Sequence, residues 1–259
     1  MNRKLKIKTK FLRAAAYAAF QSYAKVLVFI FSLSLTALAA HAQDGKDIRR
    51  TSFNFGGRTS FSSMFYSVEK LYIEGTDITD FTTKSEVSLS YAAFARLNIR
   101  HHYLQTELCY NISRYSILFP TTLWNTDATS SDVSTISTEL RGLEMPLFYG
   151  YYLEDHSPYR MSVFVGPKIN FILPGQSRHL FENFSQADID ETIWPFIFSG
   201  VIGFNVSISH LVFDISFEAG LNNISRYFTT INPQGQVSTD DFIFNRRKNG
   251  VSFSIGAIF

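Results

Sequence analysis

The chain has 259 residues, 46% apolar, 16% aromatic and 18% charged, with 26 Phe and 13 Tyr. This excludes a disordered or collagen-like chain and leaves more aromatic rings than a soluble core of this size needs. Without the seven basic residues of positions 1–42, 17 basic and 22 acidic residues remain, a net −5 in place of +2, which speaks against a nucleic-acid partner.

Residues 1–42 open on Arg3, Lys4, Lys6, Lys8, Lys10 and Arg13, run apolar from Val26 to Ala40, and close on Ala40-His41-Ala42. That order of basic, apolar and small residues predicts a secretory signal peptide. A spanning helix needs roughly 20 apolar residues, and this run has 15. Residues 43–50 then read as a short periplasmic N-terminal segment and 51–259 as one domain. The single Cys109 can form no intramolecular disulfide and lies too far from the cleavage site to carry a lipid anchor.

Beyond Gln43 the dominant period is two, the signature of strands. Phe53, Phe55, Phe61 and Phe65 oppose Ser52, Asn54, Gly56, Arg58, Ser60 and Ser62. Val87 to Ile99 sets Leu89, Tyr91 and Leu97 against Glu86, Arg96 and, just beyond, Arg100. Leu104, Leu108, Tyr110 and Ile112 oppose Gln105, Glu107, Cys109 and Asn111. Leu143 to Tyr151 opposes Gly142, Glu144 and Gly150. Tyr159 to Leu173 opposes Arg160, Ser162, Gly166, Lys168 and Asn170. Trp194 to Ile208 opposes Ser199, Gly203, Asn205 and Ser207. Leu211 to Leu221 opposes Asp214, Ser216, Glu218 and Gly220. Val251 to Phe259 opposes Ser252, Ser254 and Gly256.

Eight strands follow, and volume decides which face points inward. The apolar faces carry 44 side chains, whereas the interior of an eight-stranded barrel is only just wide enough to be filled by side chains. The apolar face must therefore meet lipid, and the polar face must line the lumen. The lumen then holds Arg58, Arg96, Arg100, Arg160 and Lys168 against Glu86, Glu107, Glu144, Asp214 and Glu218, a balanced set expected to pair as structural struts. Glu144, also weighed as a proton or substrate relay, reads better as such a strut.

Connection lengths agree. His101-His102, Leu153 to Pro158 and Ser209-His210 are short, while 66–83, 117–134, 174–193 and 226–249 are long and polar. Short periplasmic turns alternating with longer external loops predict an all-β, eight-stranded antiparallel up-and-down barrel in the outer membrane, with both termini periplasmic. Tyr66, Trp194 and Tyr227 at one rim, and Tyr103, Tyr151, Tyr152 and Phe259 at the other, suit interfacial girdles. One segment breaks phase: Glu139 and Arg141 share the parity of Leu143, while Ile136 and Leu140 do not. That predicts a slip or a bulge near Gly142, with the two charges beyond the hydrocarbon.

The pieces Leu143-Glu144-Met145-Pro146-Leu147, Gly166-Pro167, Gly220-Leu221-Asn222-Asn223-Ile224 and Ser254-Ile255-Gly256-Ala257-Ile258-Phe259 resemble the PorT-like outer-membrane β-barrel proteins of Bacteroidota, over roughly residues 51–259. Phe253, Ile255 and the terminal Phe259 resemble the signal read by outer-membrane assembly machinery, which the resemblance makes a partner during biogenesis. Members of this broad family mostly lack an assigned activity, and one branch belongs to a type IX secretion apparatus.

No catalytic site, cofactor or metal is expected. His101, His102, His156 and His210 fall in the short turns, and the two adjacent histidines read as a polar turn. His179 with Ser177 and Glu182 imitates a triad in a loop without a visible scaffold. Asp188, Asp190 and Glu191 lack EF-hand spacing and read as a solvated acidic loop. The expectation is a non-enzymatic barrel with a plugged polar lumen, in contact with outer-membrane lipid, acting as a scaffold or binding envelope proteins through its external loops. The alternatives are a component of a secretion or envelope-assembly complex, or a narrow pore, which the strand number disfavours.

Overall fold

The computed structural model describes residues 51–259 except 74–75, 80, 86, 124–132, 157, 174–177, 183–187, 232–236 and 239–241. The segments 1–42 and 43–50 lie outside the described residues, as do Glu86 and Ser177. The strands are β1 (Thr51–Ile73), β2 (Thr76–Asp77), β3 (Thr82–Ser85), β4 (Val87–Ile99), β5 (His102–Pro120), β6 (Val133–His156), β7 (Tyr159–Ile172), β8 (Arg178–Glu182), β9 (Asp188–Ile193), β10 (Phe196–Ile208), β11 (Leu211–Gly220), β12 (Ser225–Ile231), β13 (Val237–Ser238) and β14 (Phe242–Ile258).

Eight of them close a ring in the order β1, β4, β5, β6, β7, β10, β11, β14, and β14 returns antiparallel to β1 from Gly56↔Ile258 to Ile73↔Phe242. The ring is the expected antiparallel up-and-down barrel, and closure leaves no open edge. At the end that carries the C-terminus the turns are tight. Arg100 and Ser209 adopt left-handed backbone angles of 57° and 56°, which lets two-residue turns reverse the strands. His102 belongs to β5 and residues 153–156 to β6, so these expected turns are shorter still.

At the opposite, loop end the strands run further than their apolar pattern suggested. β1 continues to Ile73, β5 to Pro120, β6 starts at Val133 and β14 at Phe242, so much of the expected loops is barrel wall. A second sheet, β13-β12-β9, stands at this end.

The outer wall is apolar over a limited height. Phe55, Leu147, Ile202 and Phe253 are 62%, 53%, 59% and 49% exposed, values that aqueous surroundings would penalise and lipid would not. On β14 and the terminal residue that follows it, the outward apolar residues run from Val251 to Phe259. At about 3.3 Å per residue and a tilt near 40° that stretch rises about 20 Å, close to the belt of a membrane barrel.

The expected phase break at Gly142 is absent. β5 and β6 pair without a shift from Cys109↔Glu144 to Pro120↔Val133, and Ser134, Ile136, Thr138, Leu140, Gly142 and Glu144 all face inward. The solvent changes rather than the register: above the belt water lies outside, so Glu139 and Arg141 stay on the wall while Ile136 and Leu140 enter an apolar core. That core also includes Met64, Tyr66, Leu71, Ile117, Ile197, Phe228 and Phe244. Bulges do occur, at Glu69 in β1, Leu153 in β6 and Arg226 in β12. At Glu69 the extra residue leaves Glu69 and Lys70 exposed while Leu71 and Ile73 remain buried.

The girdle expectation needs correction at three positions. Tyr66, Tyr103 and Tyr152 are 5%, 2% and 4% exposed and point inward, whereas Trp194, Tyr227, Tyr151 and Phe259 lie on the outer wall. Parity assigns them: Tyr103 and Tyr152 share the inward phase of Gln105 and Gly150.

Candidate functional site

Among the described residues buried charge concentrates in the lumen, and it is layered. Nearest the turns lies an aromatic layer of Tyr103, Phe148, Tyr152 and Phe164 with Val201. Glycines on neighbouring strands make room for its rings. Gly150 pairs with Tyr103 and Gly203 with Phe164; Gly56, likewise, pairs with Phe94. A Cβ at Gly150 would sit 2.1 Å from Tyr103 Cζ, and one at Gly203 2.3 Å from Phe164 Cζ. Arg96 stacks over Tyr103 at 4.3 Å and donates through Nε to Gln105 Oε1 at 2.6 Å.

Next come two ion clusters. Arg58 ties three strands together, donating from Nη2 to Glu107 Oε2 at 2.8 Å and from Nη1 to Asp214 Oδ2 at 2.7 Å. Cys109 is buried beside it, its thiol directed at Glu107 Oε2 at 3.4 Å. Further in, Glu144 accepts from Lys168 Nζ at 3.1 Å and from Lys248 Nζ at 2.9 Å. Asn170 Nδ2 donates to the same carboxylate at 3.2 Å. Lys168 also pairs with Glu218, and Lys248 approaches Glu218 at 3.8 Å. Among the described residues, Arg58, Arg96, Lys168 and Lys248 thus face Glu107, Glu144, Asp214 and Glu218, four charges against four, a balance that burial favours.

Above the clusters Arg246 Nη2 meets Glu191 Oε1 at 2.8 Å, both fully buried, and Ser225 Oγ donates to Glu191 Oε1 at 2.6 Å. This pair fastens the β9–β12 sheet to β14. The apolar core closes around it. Among the ion clusters, reaching from Phe148 of the aromatic layer to Met64 of the apolar core, remains a cavity of about 40 Å³, bordered by Arg58, Ser90, Glu144, Lys168 and Glu218. A single water needs about 10–15 Å³ by this measure, so the space suits a few waters and no organic solute.

The structure places the ten expected lumen charges as follows. Arg58, Glu107, Glu144, Lys168, Asp214 and Glu218 meet in the two clusters, and Arg96 packs beneath them. Arg100 is a turn residue at a left-handed position, and Arg160 pairs with Asp155 at the turn end, 44% exposed, so neither joins the lumen network. Both lie past the last inward position of the belt, where parity no longer separates lumen from water. Glu86 lies outside the described residues.

Sequence reasoning missed Lys248 and Arg246. They stood in an expected loop, inside the run Arg246-Arg247-Lys248, which reads as a solvated charge cluster. The available signal was that Phe244, Arg246, Lys248 and Gly250 continue the inward parity of Ser252 and Ser254. Glu191, expected in a solvated acidic loop, is instead the buried partner of Arg246.

Phe253, Ile255 and Phe259, expected from the resemblance to form an assembly signal, face outward, 49%, 42% and 60% exposed. His101 and His102 lie at the turn end, where the His102 Nδ1 and Tyr149 hydroxyl stand 2.6 Å apart. His179 has its backbone in β8 opposite Thr138; its side chain, and those of Glu182, Asp188 and Asp190, are outside the described set. On the outer wall above the belt, Arg114 Nε donates to Glu139 at 2.7 Å and Arg141 Nη2 reaches it at 2.7 Å. These hydrogen bonds, Arg114 foremost, hold the Glu139 carboxyl below the usual carboxylate range.

The family model described as "Outer membrane protein beta-barrel domain" matches residues 41–226. No curated protein matches the chain. Among solved structures, the chain is similar to the outer membrane protein OprG from Pseudomonas aeruginosa, at 11% identity over 81% of this chain and 96% of that one, with a TM-score of 0.48. It is also similar to Neisserial surface protein A, at 14% identity over 81% and 99% of the two chains and a TM-score of 0.37. A third likeness is the outer membrane protease OmpT from Escherichia coli, at 7% identity over 80% and 98% and a TM-score of 0.44.

Proposed function

Since the chain belongs to the outer membrane protein β-barrel domain family, we propose that it acts there as a closed, non-enzymatic scaffold whose binding is done by its loops. The termini face the periplasm and the loop end faces outward; within the family the chain sits in the PorT-like branch of Bacteroidota, on the motifs that carry that resemblance. The observation that supports the reading is the filled lumen. An aromatic layer, two ion clusters and an apolar core follow one another along the axis, and the cavity among the ion clusters measures about 40 Å³. Each layer blocks solute in its own way: rings by volume, paired charges by lacking free valence for an ion, aliphatic side chains by excluding water.

Among the described residues of this axis, the carboxylates beside a hydroxyl or thiol are held by cations: Glu191 by Arg246, Glu218 by Lys168 and Glu107 by Arg58. Cys109 lies beside Glu107, yet the carboxylate is held by Arg58 and the thiol is buried. Envelope proteins are the partners that such a scaffold would recruit, and the assembly machinery would read Phe253, Ile255 and Phe259 during insertion.

Planar-bilayer recording of the purified full-length chain tests this. The expected result is membrane insertion without discrete conductance steps, and steady single-channel currents would overturn the closed scaffold. Crosslinking in intact cells tests the partners: the adducts should map to the loop end, and adducts confined to the turn end would reverse the orientation.

A further inference from the structure

On the outer wall the apolar belt stops, and arginines stand just past it. On β5, Tyr110 and Ile112 give way to Arg114. On β6, Met145 and Leu143 give way to Arg141, and on β14, Phe253 and Val251 give way, past Asn249, to Arg247. A course of backbone hydrogen bonds joins these strands and, because the ring is staggered, climbs toward the loop end on its way from β6 to β14. Leu173 N donates to Arg141 O at 2.9 Å, Ile172 N to Pro195 O at 3.0 Å, Trp194 N to Ile224 O at 2.9 Å, and Ile224 N to Arg246 O at 3.1 Å.

Arg226 lies two residues beyond that course. The β12 bulge leaves Arg226 and Tyr227 both exposed. The guanidinium lies 5.0 Å over the Trp194 ring and 5.8 Å over that of Tyr227, and both rings are exposed on the wall. A bulge that re-aims a side chain onto an aromatic pair is a built arrangement rather than a stray surface charge.

The charges do not cancel. Arg114 and Arg141 share Glu139, and Arg247 meets Glu69. Among the described residues no carboxylate pairs with Arg226. Among the described residues four guanidinium groups therefore face two carboxylates, while Lys70 and the exposed Asp77 nearby offset one another. Uncompensated positive charge held by rings at the rim of a lipid-facing belt matches one environment, the headgroup layer. Aromatic rings favour that depth, the guanidinium fork fits phosphate oxygens, and anionic lipid surfaces attract such cations.

We propose that this collar, centred on Arg226 between Trp194 and Tyr227, holds anionic, phosphate-bearing lipid headgroups of the leaflet at the loop end. The site rests on the membrane reading above and is independent of whether the lumen conducts. It would immobilise the first ring of lipids and set the depth of the barrel in the membrane.

The test uses the full chain in detergent, with lipid retention read by native mass spectrometry for lipid A, phosphatidylglycerol and phosphatidylcholine. Lipid A and phosphatidylglycerol should be retained over phosphatidylcholine. A basic residue at an anionic surface contributes about 1 kcal/mol, so Arg226→Gln should lower that retention about fivefold. Trp194→Leu should lower it in the same direction, and Arg160→Gln at the turn end should leave it unchanged.

Equal retention of phosphatidylcholine, or equal loss in Arg160→Gln, overturns the proposal. So does displacement of lipid A by inorganic phosphate at the same concentration, because the site would then read a free anion and no lipid. A chain that fails to insert into vesicles at all sinks the membrane reading itself, whereas insertion without preference for anionic lipid sinks the collar alone.

Discussion

Replacing Glu144 by Gln is the sharpest probe of the lumen, because the change keeps shape and removes one charge. In the native cluster Glu144 is held by Lys168 at 3.1 Å, Lys248 at 2.9 Å and Asn170 at 3.2 Å, with the carboxylate 6% exposed. After the change Lys168 keeps Glu218, but Lys248 keeps a carboxylate only at 3.8 Å. The interior then carries four cations and three anions. Breaking a buried pair by removing one partner costs about 3–5 kcal/mol; since Lys168 stays paired, the low end applies, about 3 kcal/mol. Glu144→Gln with Lys248→Met restores neutrality and should recover about 2 kcal/mol of that loss. Urea unfolding of barrels in lipid vesicles, followed by tryptophan fluorescence and by the heat-modifiable shift on gels, measures both. A Glu144→Gln variant as stable as the native protein, or a double variant as weak as the sum of its singles, would refute the strut assignment.

Two further changes probe the layers on either side. Gly150→Ala puts a methyl 2.1 Å from Tyr103 Cζ and should destabilise the same unfolding transition by about 1–3 kcal/mol, with Tyr103→Leu in the same chain recovering most of it; full stability of the single variant would show that the ring moves aside freely. Arg246→Met strands Glu191 in a fully buried position, and the cost of about 3–5 kcal/mol should appear first as faster amide exchange in β9 and β12 than in β10 and β11; uniform exchange throughout would mean that the pair does not fasten the cap.

The barrel and the facing of its walls were legible in the sequence because period-two alternation and the short-long order of connections both survive without tertiary knowledge. Phe61, Ile202 and Phe253 face outward as alternation predicts, and Arg58, Glu107 and Asp214 meet inside although they stand far apart in the chain. Pairing itself was not legible. Nothing in alternation says that Arg58 reaches both β5 and β11, or that Lys168 serves Glu144 and Glu218, since those contacts follow from barrel closure. The girdle tyrosines failed for a related reason: position near a strand end was allowed to outweigh parity, and parity assigns Tyr103 and Tyr152 to the lumen. Ala95 and Leu97 keep their outward parity and are nonetheless buried.

The apparent phase break at Gly142 has the most general explanation. A strand presents the same two faces along its whole length, but the medium beside each face changes where it leaves the hydrocarbon. Between Leu143 and Tyr151 the outer face of β6 meets lipid and is apolar, so the inner face carries Glu144 and Gly150. Between Thr135 and Arg141 the outer face meets water and carries Glu139 and Arg141, so Ile136 and Leu140 turn to the axis. Polarity inverts while register holds, which is why β5 and β6 pair without interruption across the boundary. The same inversion occurs on β14, where Phe244 is buried and Arg247 exposed on one side of Gly250, and Ser254 is buried and Phe253 exposed on the other. A barrel strand that passes through two solvents therefore shows its membrane boundary as a switch in which parity is apolar, and on β6 and β14 that switch falls where the arginine collar begins.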